Sequence, residues 1–323
     1  MTLKQLAKLA NVSHSTASKA LRYSKELNDE TIELVNRVAR ENGYFLQQKK
    51  QRLAAMKHRP LKFAIICPEI VSVHYASIAT ELNDILWEQN AIAQIHVCNF
   101  DDETEREIML RCLEAADING VISLSQRHSQ FDLRFPPVRM SNAPTDSVGF
   151  DYTGGMRKAL LYLKEAGHRK IGFIGEKLTT PKRDTFLALT DELGLSADPG
   201  CIIDSDRRFE AAGFHAVAGL LAAGRELPTA VMTAYDEIAF GAVSALLQHG
   251  YRVPQDISVV GLNNVPAAAY FPVPLTTIGF DTDRLCRTIV RTIFELLSSD
   301  APVACLPVET DLILRASAGP ARA

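Results

Sequence analysis

The side chains best suited to recognise another molecule are short polar and basic groups within the first 22 positions. They recur at helical spacing among small apolar residues, and they comprise Ser13, His14, Ser15, Thr16, Ser18, Lys19 and Arg22. Hydroxyl, imidazole, ammonium and guanidinium groups can hydrogen-bond to base edges and phosphates, and a short helix can carry them into the major groove of DNA. The pattern therefore indicates binding of nucleic acid rather than catalysis.

Two short helices and a tight turn must position these groups. Thr2 can cap the first helix, with Gln5 as its capping-box partner, and Ser13 can cap the second. Asn11 suits the turn because it tolerates a left-handed backbone. The second helix is expected to bury Thr16, Ala17, Ala20 and Leu21 and to expose His14, Ser15, Ser18, Lys19 and Arg22. This arrangement is typical of a helix-turn-helix, although an ordinary amphipathic hairpin would show the same local pattern.

A third helix and the distribution of charge favour the DNA-binding interpretation. Asn28 can cap this helix, acidic residues occupy its first turn, and Gly43 can end it. Residues 1–60 contain 12 Lys and Arg against 5 Asp and Glu, whereas the remaining residues contain 23 against 33. A basic head gains affinity for DNA by releasing counterions, and an acidic body avoids adhering to phosphate.

Longer runs of the sequence resemble one family. They are VSHSTASKAL, LNDETIELV and ENGY in the head, and GHRKIGFIG, Arg183 with Phe186, LPTAVMTAYDEIAFGAVSAL, VPQDISVVGLNN and PLTTI in the body. In this order they resemble the lactose-repressor/galactose-repressor (LacI/GalR) family of bacterial transcription regulators. The resemblance implies a helix-turn-helix DNA-binding domain at 1–46, a hinge at 47–60 and a ligand-binding and dimerisation core at 61–318. It also implies DNA contacts from Thr2 and Tyr44.

The body can be interpreted from its own periodicity. Apolar runs typical of strands alternate with amphipathic stretches typical of helices, and these runs lie at 63–67, 92–98, 120–124, 148–150, 170–175, 201–203, 229–233 and 257–262. The alternation predicts an α/β fold of parallel sheets with helices on both faces. The resemblance adds a two-lobed, periplasmic-binding-protein-like core of Rossmann-like subdomains. Its N-lobe is expected at about 61–153 and 281–308, and its C-lobe at about 154–280 and 309–318.

The hinge departs from the family pattern. In the family this segment forms a helix on operator DNA, and a leucine enters the minor groove. Leu53 occupies that position here, between Arg52 and Ala54, but Leu46 and Gln47 replace the usual Pro-Asn. A generic basic linker is therefore the alternative. Under either interpretation phosphates would be contacted by Lys49, Lys50, Arg52 and Lys57.

The resemblance implies effector contacts at the carboxyl ends of the core strands. They comprise Ser72, His74, Tyr75, Ser123, Arg183, Tyr235, Asp236 and Asn263. Sugar-binding members carry Asn where Tyr235 stands and Asp where Asn263 stands, so an amide replaces a carboxylate that would accept from vicinal hydroxyls. Asp236 could instead hold the backbone or Arg183 in place.

The charge of the effector is left open by the sequence. Arg183 is retained from the family, and its guanidinium suits hydroxyls, a carboxylate or a phosphate. An anionic effector, such as a sugar acid or sugar phosphate, is one hypothesis, with Arg139 and Arg208 close to it. The alternative is that these two arginines are solvated surface residues.

Other motifs argue against an enzyme, a metal site and a membrane protein. Residues 172–180 lack the spacing of a phosphate loop, and neither a nucleophile elbow nor an HExxH motif is present. The six cysteines include no CxxC pair and the histidines lack ligand spacing, so we expect buried thiols in a reducing compartment and neither metal nor cofactor. No signal peptide precedes Thr2, and no apolar run is long enough to span a membrane.

The sequence thus predicts a cytoplasmic, homodimeric transcription regulator, associated with the nucleoid when bound to an inverted-repeat operator. A repressor of a carbohydrate-utilisation operon is expected, with an effector between the lobes controlling its DNA affinity. The tail SAGPARA lacks heptad leucines, so the tetramer-forming appendage of the lactose repressor is not expected. A soluble sugar-binding or sugar-processing protein with an N-terminal module of other function is the alternative.

Overall fold

The structure is a computed structural model that describes residues 1–322 apart from 25, 46–58, 116, 126–136, 141–146, 299–302 and 305–306. The chain divides into two compact units. Unit 1 comprises Met1–Gly149 and Thr282–Pro307, and unit 2 comprises Phe150–Asp281 and Val308–Ala323. The chain therefore passes three times between the units, at 149/150, 281/282 and 307/308.

Local hydrogen bonds set the ends of the three head helices, α1 (Leu3–Leu9), α2 (His14–Ala20) and α3 (Asp29–Glu41). The side chains of Thr2 and Gln5 each accept from the other's amide, so the predicted capping box is confirmed. Ser13 and Asn28 cap α2 and α3 by accepting from the amides three residues further on. Asn11, between α1 and α2, has a φ of 51°, which confirms the left-handed turn.

The head has a small core in which alanine predominates. Its buried members are Leu6, Ala7, Ala10, Ala17, Ala20, Val35, Ala39 and Tyr44. Ala17 and Ala20 are fully buried, and their small side chains let α2 lie close to its neighbours. The side-chain amide of Asn36 donates to the carbonyls of Ala20 and Ile32 at 3.3 and 2.9 Å, which joins α3 to the end of α2. This packing fixes which face of α2 is turned outward.

Unit 1 contains a four-stranded parallel sheet in the order β2-β1-β3-β4. Its strands are β1 (Leu61–Cys67), β2 (Ala91–Val97), β3 (Gly120–Ser123) and β4 (Pro137–Arg139), and its helices are α4 (Val73–Glu88), α5 (Asp102–Glu114) and α10 (Thr282–Ser298). All five residues from Phe63 to Cys67 are fully buried. Such a continuous apolar run is typical of a strand that is covered on both faces.

Unit 2 contains a six-stranded sheet in the order β10-β9-β8-β7-β5-β6, in which only β10 is antiparallel to its neighbour. Its strands are β5 (Lys170–Glu176), β6 (Ser196–Ser205), β7 (Ala230–Thr233), β8 (Ser258–Leu262), β9 (Thr276–Phe280) and β10 (Thr310–Ile313). Its helices are α6 (Tyr152–Glu165), α7 (Thr180–Glu192), α8 (Phe209–Ala222) and α9 (Asp236–Gln248). The chain leaves β5 for β6 on one side and returns to β7 on the other. This reversal opens a crevice at the carboxyl ends of β5 and β7.

The predicted fold class is confirmed, with four differences in detail. The apolar run 148–150 is not a strand, and only isolated bridges pair Phe150 with Val308 and Ser147 with Arg139. The helix α10 and the strands β4 and β9 were not predicted. In β9 the buried positions include Thr276 and Thr277, whose hydroxyls are hydrogen-bonded, so the strand lacks the apolar run that periodicity detects.

The segment that follows β10 is docked along unit 2. The fully buried hydroxyl of Ser317 donates to the carbonyl of Val259 at 2.6 Å and accepts from the amide of Thr276 at 2.8 Å. The carbonyl of Gly319 lies 2.9 Å from Nε2 of His168, and burial lowers the pKa of this imidazole. These contacts make the docked tail, residues 316–322, part of the core of unit 2.

The described residues contain buried cysteines and no cluster of metal ligands. Free, buried thiols are found at Cys67, Cys98, Cys112, Cys201 and Cys286, whereas Cys305 lies outside the described residues. Burial raises the pKa of Cys286 to about 12, so this thiol behaves as a small apolar group. Within the same part of the chain, no group of three or more His, Cys, Asp or Glu side chains is arranged to hold a metal ion. The helices described there are also too short or too polar to cross a membrane.

Candidate DNA-reading face and effector surface

The first turn of α2 faces solvent. His14 and Ser15 are exposed, and they follow Ser13, whose hydroxyl accepts from the amide of Thr16 at 2.9 Å and lies 2.8 Å from the Thr16 hydroxyl. In a helix-turn-helix, the N-terminal residues of the second helix approach the base edges. His14 and Ser15 are therefore the exposed residues at the start of this helix, while the other two side chains hold the start of the helix.

The cationic side chains of α2 and of the residues just beyond it have neighbours within the head. The ammonium of Lys19 forms an ion pair with Glu26, and this cation lowers the pKa of the carboxyl group. The guanidinium of Arg22 donates to the carbonyl and hydroxyl of Ser18 at 3.3 and 3.2 Å. Glu26 was not among the predicted site residues because it lies beyond the helix, and no pattern links it to Lys19. We call the outward-facing set of Ser13, His14, Ser15, Ser18, Lys19 and Arg22 the DNA-reading face.

Two predictions for the head need correction, and one lies outside the described residues. Thr16 and Leu21, expected to be buried, and Ser18 and Lys19, expected to be exposed, are all half-buried. Tyr44, expected to contact DNA, is 7% exposed, and its ring lies edge-on to Phe45 at 5.9 Å between centroids. Its large apolar area is more useful in the small core of the head than on the surface. The hinge residues named from the sequence lie outside the described residues: Lys49, Lys50, Arg52, Leu53, Ala54 and Lys57.

In unit 1 the predicted effector contacts lie near the carboxyl ends of β1 and β3. Ser72 is the residue before α4 and is 7% exposed. His74 and Tyr75, in the first turn of that helix, are half-buried, and their rings are 5.0 Å apart. Ser123 is 1% exposed and donates to the buried Glu105 at 2.9 Å, so its hydroxyl supports the end of β3 and the expected ligand contact needs correction.

In unit 2 the carboxyl ends of four strands bring together a polar and aromatic set. We call it the effector surface, and it consists of Glu176, Arg183, Asp204, Arg208, Phe209, Tyr235 and Asn263. Arg183 projects from α7 and pairs with Asp204 at the end of β6 and with Asp184, its own neighbour. It does not pair with Asp236, so a pinning role through that residue is not observed. Sequence reasoning missed the Asp204 contribution because it comes from a different strand.

A second cluster on this surface joins β5, the start of α8 and the residue after β7. Nε of Arg208 lies 3.2 Å from both carboxylate oxygens of the buried Glu176, and its guanidinium lies 4.6 Å from the centre of the Phe209 ring. The amide of Phe209 donates to the Tyr235 hydroxyl at 3.1 Å. Arg208 is thus part of a built cluster, not a freely solvated residue, and burial raises the pKa of Tyr235. Arg139 is half-buried on β4 of unit 1.

The left-handed backbone of Phe209 belongs to the same cluster. Its φ is 54°, which is unfavourable for an aromatic residue and has to be held by surrounding contacts. The hydroxyl of Tyr235 supplies one of them through the Phe209 amide, and the two rings meet edge-on at 6.0 Å. A side chain shorter than Tyr at position 235 would lose this bond.

Asp236 has a supporting position rather than a ligand-facing one. It is fully buried, one oxygen accepts from Thr277 Oγ1 at 2.5 Å and the other from the amide of Val265 at 2.8 Å. Burial raises the pKa of Asp236 to about 7. The predicted effector contact is corrected here, since no part of the side chain is open to a ligand. Asp236 instead fixes the loop that carries Asn263.

Asn263 follows β8 with a φ of 107°. Its amide donates to the carbonyl of Ile278 at 2.7 Å, and its side-chain oxygen is buried with no hydrogen-bond partner among the described residues. Lys182, beside Arg183, donates to the carbonyl of Ala234 at 3.0 Å, and burial lowers the pKa of this amine to about 8.

Comparison with known proteins agrees with both parts of the chain. Residues 2–46 match the family of bacterial regulatory proteins of the lacI type, and residues 160–318 match the periplasmic binding protein-like domain. The HTH-type transcriptional repressor PurR of Pasteurella multocida (strain Pm70) is 27% identical over 333 residues, which cover 98% of each chain.

Two solved structures share the fold over almost the whole length. One is the Lac repressor dimer bound to operator and the anti-inducer ONPF, with a TM-score of 0.71 and 21% identity over 98% of both chains. The other is the complex of the transcriptional regulator CelR with cellobiose, with a TM-score of 0.68 and 23% identity over 98% of this chain and 99% of that chain.

A helix-turn-helix head joined to two doubly wound units defines a DNA-binding transcription regulator with a ligand-binding core, not an enzyme. The chain carries the DNA-binding domain of the LacI family of bacterial regulatory proteins, followed by a periplasmic binding protein-like domain. The resemblance stated from the sequence is thereby confirmed.

Proposed function

We propose that this protein is a repressor that binds an inverted-repeat operator as a homodimer and responds to a small, carbohydrate-derived effector. The observation that carries the proposal is the DNA-reading face, where polar groups are held outward by an alanine-lined core. One small head presents few base contacts, and two heads related by symmetry double them. The related structure of the Lac repressor, a dimer on its operator, supports this arrangement.

Within the DNA-reading face we assign different tasks to different residues. His14, Ser15 and Lys19 contact base edges, because His14 and Ser15 are exposed at the start of α2 and the half-buried Lys19 carries its ammonium on a flexible stem in the last turn. Ser18 and Arg22 contact the sugar-phosphate backbone, and Thr2 and Ser13 contact it near the helix N-termini. In the hinge, Leu53 enters the minor groove, flanked by Arg52 and Ala54.

For the effector we assign His74 and Tyr75 in unit 1, and Arg183, Tyr235 and Asn263 in unit 2. Ser72 is adjacent to the first pair. These side chains combine aromatic rings with hydrogen-bonding groups, which is the composition that suits a hydroxylated ring. The CelR structure, which contains cellobiose, supports a carbohydrate. We place the protein in the cytoplasm, and on the nucleoid when operator is bound. We assign a carbohydrate-utilisation operon as its target.

Effector and operator are coupled through the two conformations of the core. A ligand that favours one conformation changes DNA affinity by its differential binding, and a coupling of about 1–3 kcal/mol changes it by about 5- to 150-fold. The same ligand must bind the DNA-free and DNA-bound protein with affinities that differ by the same factor.

Selection of sites from a random DNA pool, followed by sedimentation with and without the selected duplex, tests the proposal. We expect an inverted repeat to be enriched and a dimer to be present at micromolar protein. Recovery of no common sequence, or a monomer in both conditions, would contradict it. A Lys8→Ala variant, in an exposed residue of α1, serves as the control for loss of a single positive charge.

A further inference from the structure

The two arginines of the effector surface already have carboxylate partners. Arg183 contacts Asp204 through Nη1, and it contacts Asp184 through Nε and Nη2 at 3.0 and 2.8 Å. Nε of Arg208 lies 3.2 Å from both oxygens of Glu176, whose side chain is 4% exposed. Each guanidinium charge is therefore balanced before any ligand arrives.

Lys182, the next cation on this side of unit 2, does not make the net charge of the effector surface positive. Its ammonium donates to a backbone carbonyl, and burial disfavours its charge. Its acidic neighbours are Glu176, Asp236 and Glu237, which act on it through their negative charge. The local sum of charge is consequently not positive, so a ligand anion would find no field that attracts it.

Two acceptor atoms on the same surface lack donors. They are Oδ1 of Asp204 and Oδ1 of Asn263, both buried and without a hydrogen-bond partner among the described residues. A buried acceptor gains when a donor reaches it, because an unmade hydrogen bond leaves it desolvated. Ligand hydroxyl groups supply such donors, whereas the oxygens of an ionised carboxylate or phosphate do not.

We infer that Asp204 and Glu176 determine ligand specificity by charge. By balancing the two arginines they admit a neutral hydroxylated ligand and reject the carboxylate or phosphate form of the same molecule. The inference rests on the proposed effector function and deepens it, because it favours a neutral effector over the anionic one considered from the sequence.

Rejection follows from what an anion would have to displace. To reach Arg183 it would either share the guanidinium with Asp204 or push that carboxylate aside, and two like charges in a partly dry site repel strongly. To reach Arg208 it would meet Glu176, which has little room to turn toward water. Specificity of this kind comes from a repulsive element as much as from attraction.

Matched neutral and anionic compounds test the inference on the full-length chain. The probes are D-glucose with D-glucuronate and glucose-6-phosphate, D-galactose with D-galacturonate, and D-ribose with ribose-5-phosphate, read by thermal shift and by calorimetry. We expect a neutral member to bind and its anionic partner to bind at least about tenfold more weakly. An anionic member that binds the wild-type chain as tightly as its neutral partner overturns the inference while leaving the carbohydrate proposal intact.

The Asp204→Asn variant sharpens the test. Removing the negative charge frees Nη1 of Arg183, whose remaining pair is with the exposed Asp184, so the anionic partner should gain about tenfold in affinity while the neutral compound loses affinity through the changed acceptor. Asp206→Asn is the matched control, because Asp206 is two residues away, highly exposed and paired with Lys177. It should leave both affinities unchanged.

Further outcomes separate the charge role of Asp204 from the proposal of a carbohydrate effector. Equal affinity for the anion in wild type and in a folded Asp204→Asn variant refutes the charge role of Asp204. If that variant does not fold, as judged by its melting curve, Glu176→Gln is measured in its place, with the same gain in anion affinity expected and its absence contradicting the inference. If no compound of the panel binds the wild-type chain, the carbohydrate proposal fails, and this inference fails with it.

Discussion

The DNA-reading face of the head comes from a single stretch of ten residues around α2, whereas the effector surface of unit 2 is assembled from the ends of four strands. The first is exposed, and its groups are positioned by local caps and a buried alanine face. The second is half-buried, and each of its charges is held by a partner from a different element. The difference teaches that recognition by the head depends on which residues α2 carries, whereas recognition by the core depends on which residues compensate one another.

The largest effect expected from this comparison is on ligand binding by Arg183→Ala. Loss of a guanidinium that we assign to ligand binding should lower effector affinity by about a hundredfold, because truncation also leaves Asp204 without its partner. DNA affinity without effector should change by less than about twofold, because the DNA-reading face does not include this residue. Calorimetry and gel shift on one preparation measure both.

A structural role for Arg183 would give a different pattern from the one just described. The melting temperature without ligand would fall, and DNA binding would weaken together with ligand binding. Arg157→Ala, which breaks an exposed pair with Glu192, is the control for loss of a surface charge. If Arg183→Ala keeps a full ligand response while folded, Arg183 does not contact the effector.

The converse change, Lys19→Ala, should weaken DNA binding and leave effector binding unchanged. A lysine that contacts guanine contributes about 1–3 kcal/mol, and its removal should relax preference at one base pair of each half-site. Binding to a set of single-base operator variants measures this. Uniform weakening on every sequence would instead identify Lys19 as a phosphate contact.

A third test concerns the carboxyl group beneath the effector surface. Because burial raises the folded-state pKa of Asp236 to about 7, above the value of an unfolded aspartic acid, the folded protein holds this proton more tightly. The contribution of this proton to the free energy of unfolding is fully present below about pH 4 and is lost as the pH rises through about 7. Asp236→Asn should therefore reduce the fall in unfolding free energy between pH 5 and 8 by about 2–3 kcal/mol.

Urea unfolding at both pH values, with the wild type in parallel, measures that difference. Other groups in the same window, including the buried His168, titrate identically in the two proteins and cancel in the comparison. An Asp236→Asn variant with the pH dependence of the wild type would show that this carboxyl group is ionised throughout. The head offers no counterpart, since its carboxyl groups are exposed.

The smallest effect is expected for Glu26→Gln in the head. The carboxylate competes with DNA for Lys19 and repels phosphates, so its neutralisation should raise affinity for non-specific DNA by about two- to fivefold. Affinity for the operator should rise at least as much, because Lys19 has to give up Glu26 before it can contact a base. Titrations at two salt concentrations against operator and random duplexes measure the ratio, and an unchanged ratio means that the pair has no influence on specificity.

Sequence patterns predicted the elements whose signals are local. The caps at Thr2, Ser13 and Asn28 and the turn at Asn11 follow from interactions between residues within three positions of one another. Runs such as 170–175 became strands because burial on both faces demands continuous apolar residues. The strand β9 was missed, since its threonines are satisfied by partners far away in the chain.

The candidate site was predictable only in part, because its residues come from strands that are far apart in the sequence. The sequence identified Arg183 and Tyr235, but not that Asp204 and Glu176 accompany the two arginines. Their pairing depends on the order of strands in the sheet, in which β5 lies between β6 and β7. The sequence also did not show that Ser123 and Asp236 face inward, because the hydrogen-bond partner of each side chain is fixed only by tertiary packing.

The docked tail has a consequence for the gene that encodes this protein. Ser317 and Gly319 hydrogen-bond to Ser258 and Val259 in β8 and to Thr276 in β9, so codons 317 to 319 carry folding information. A nonsense mutation just upstream of them would leave the coding sequence for both recognition surfaces intact. The truncated protein would nevertheless lack the hydrogen bonds that the tail makes to β8 and β9, and it would be degraded by proteases. The mutation would therefore act as a null allele.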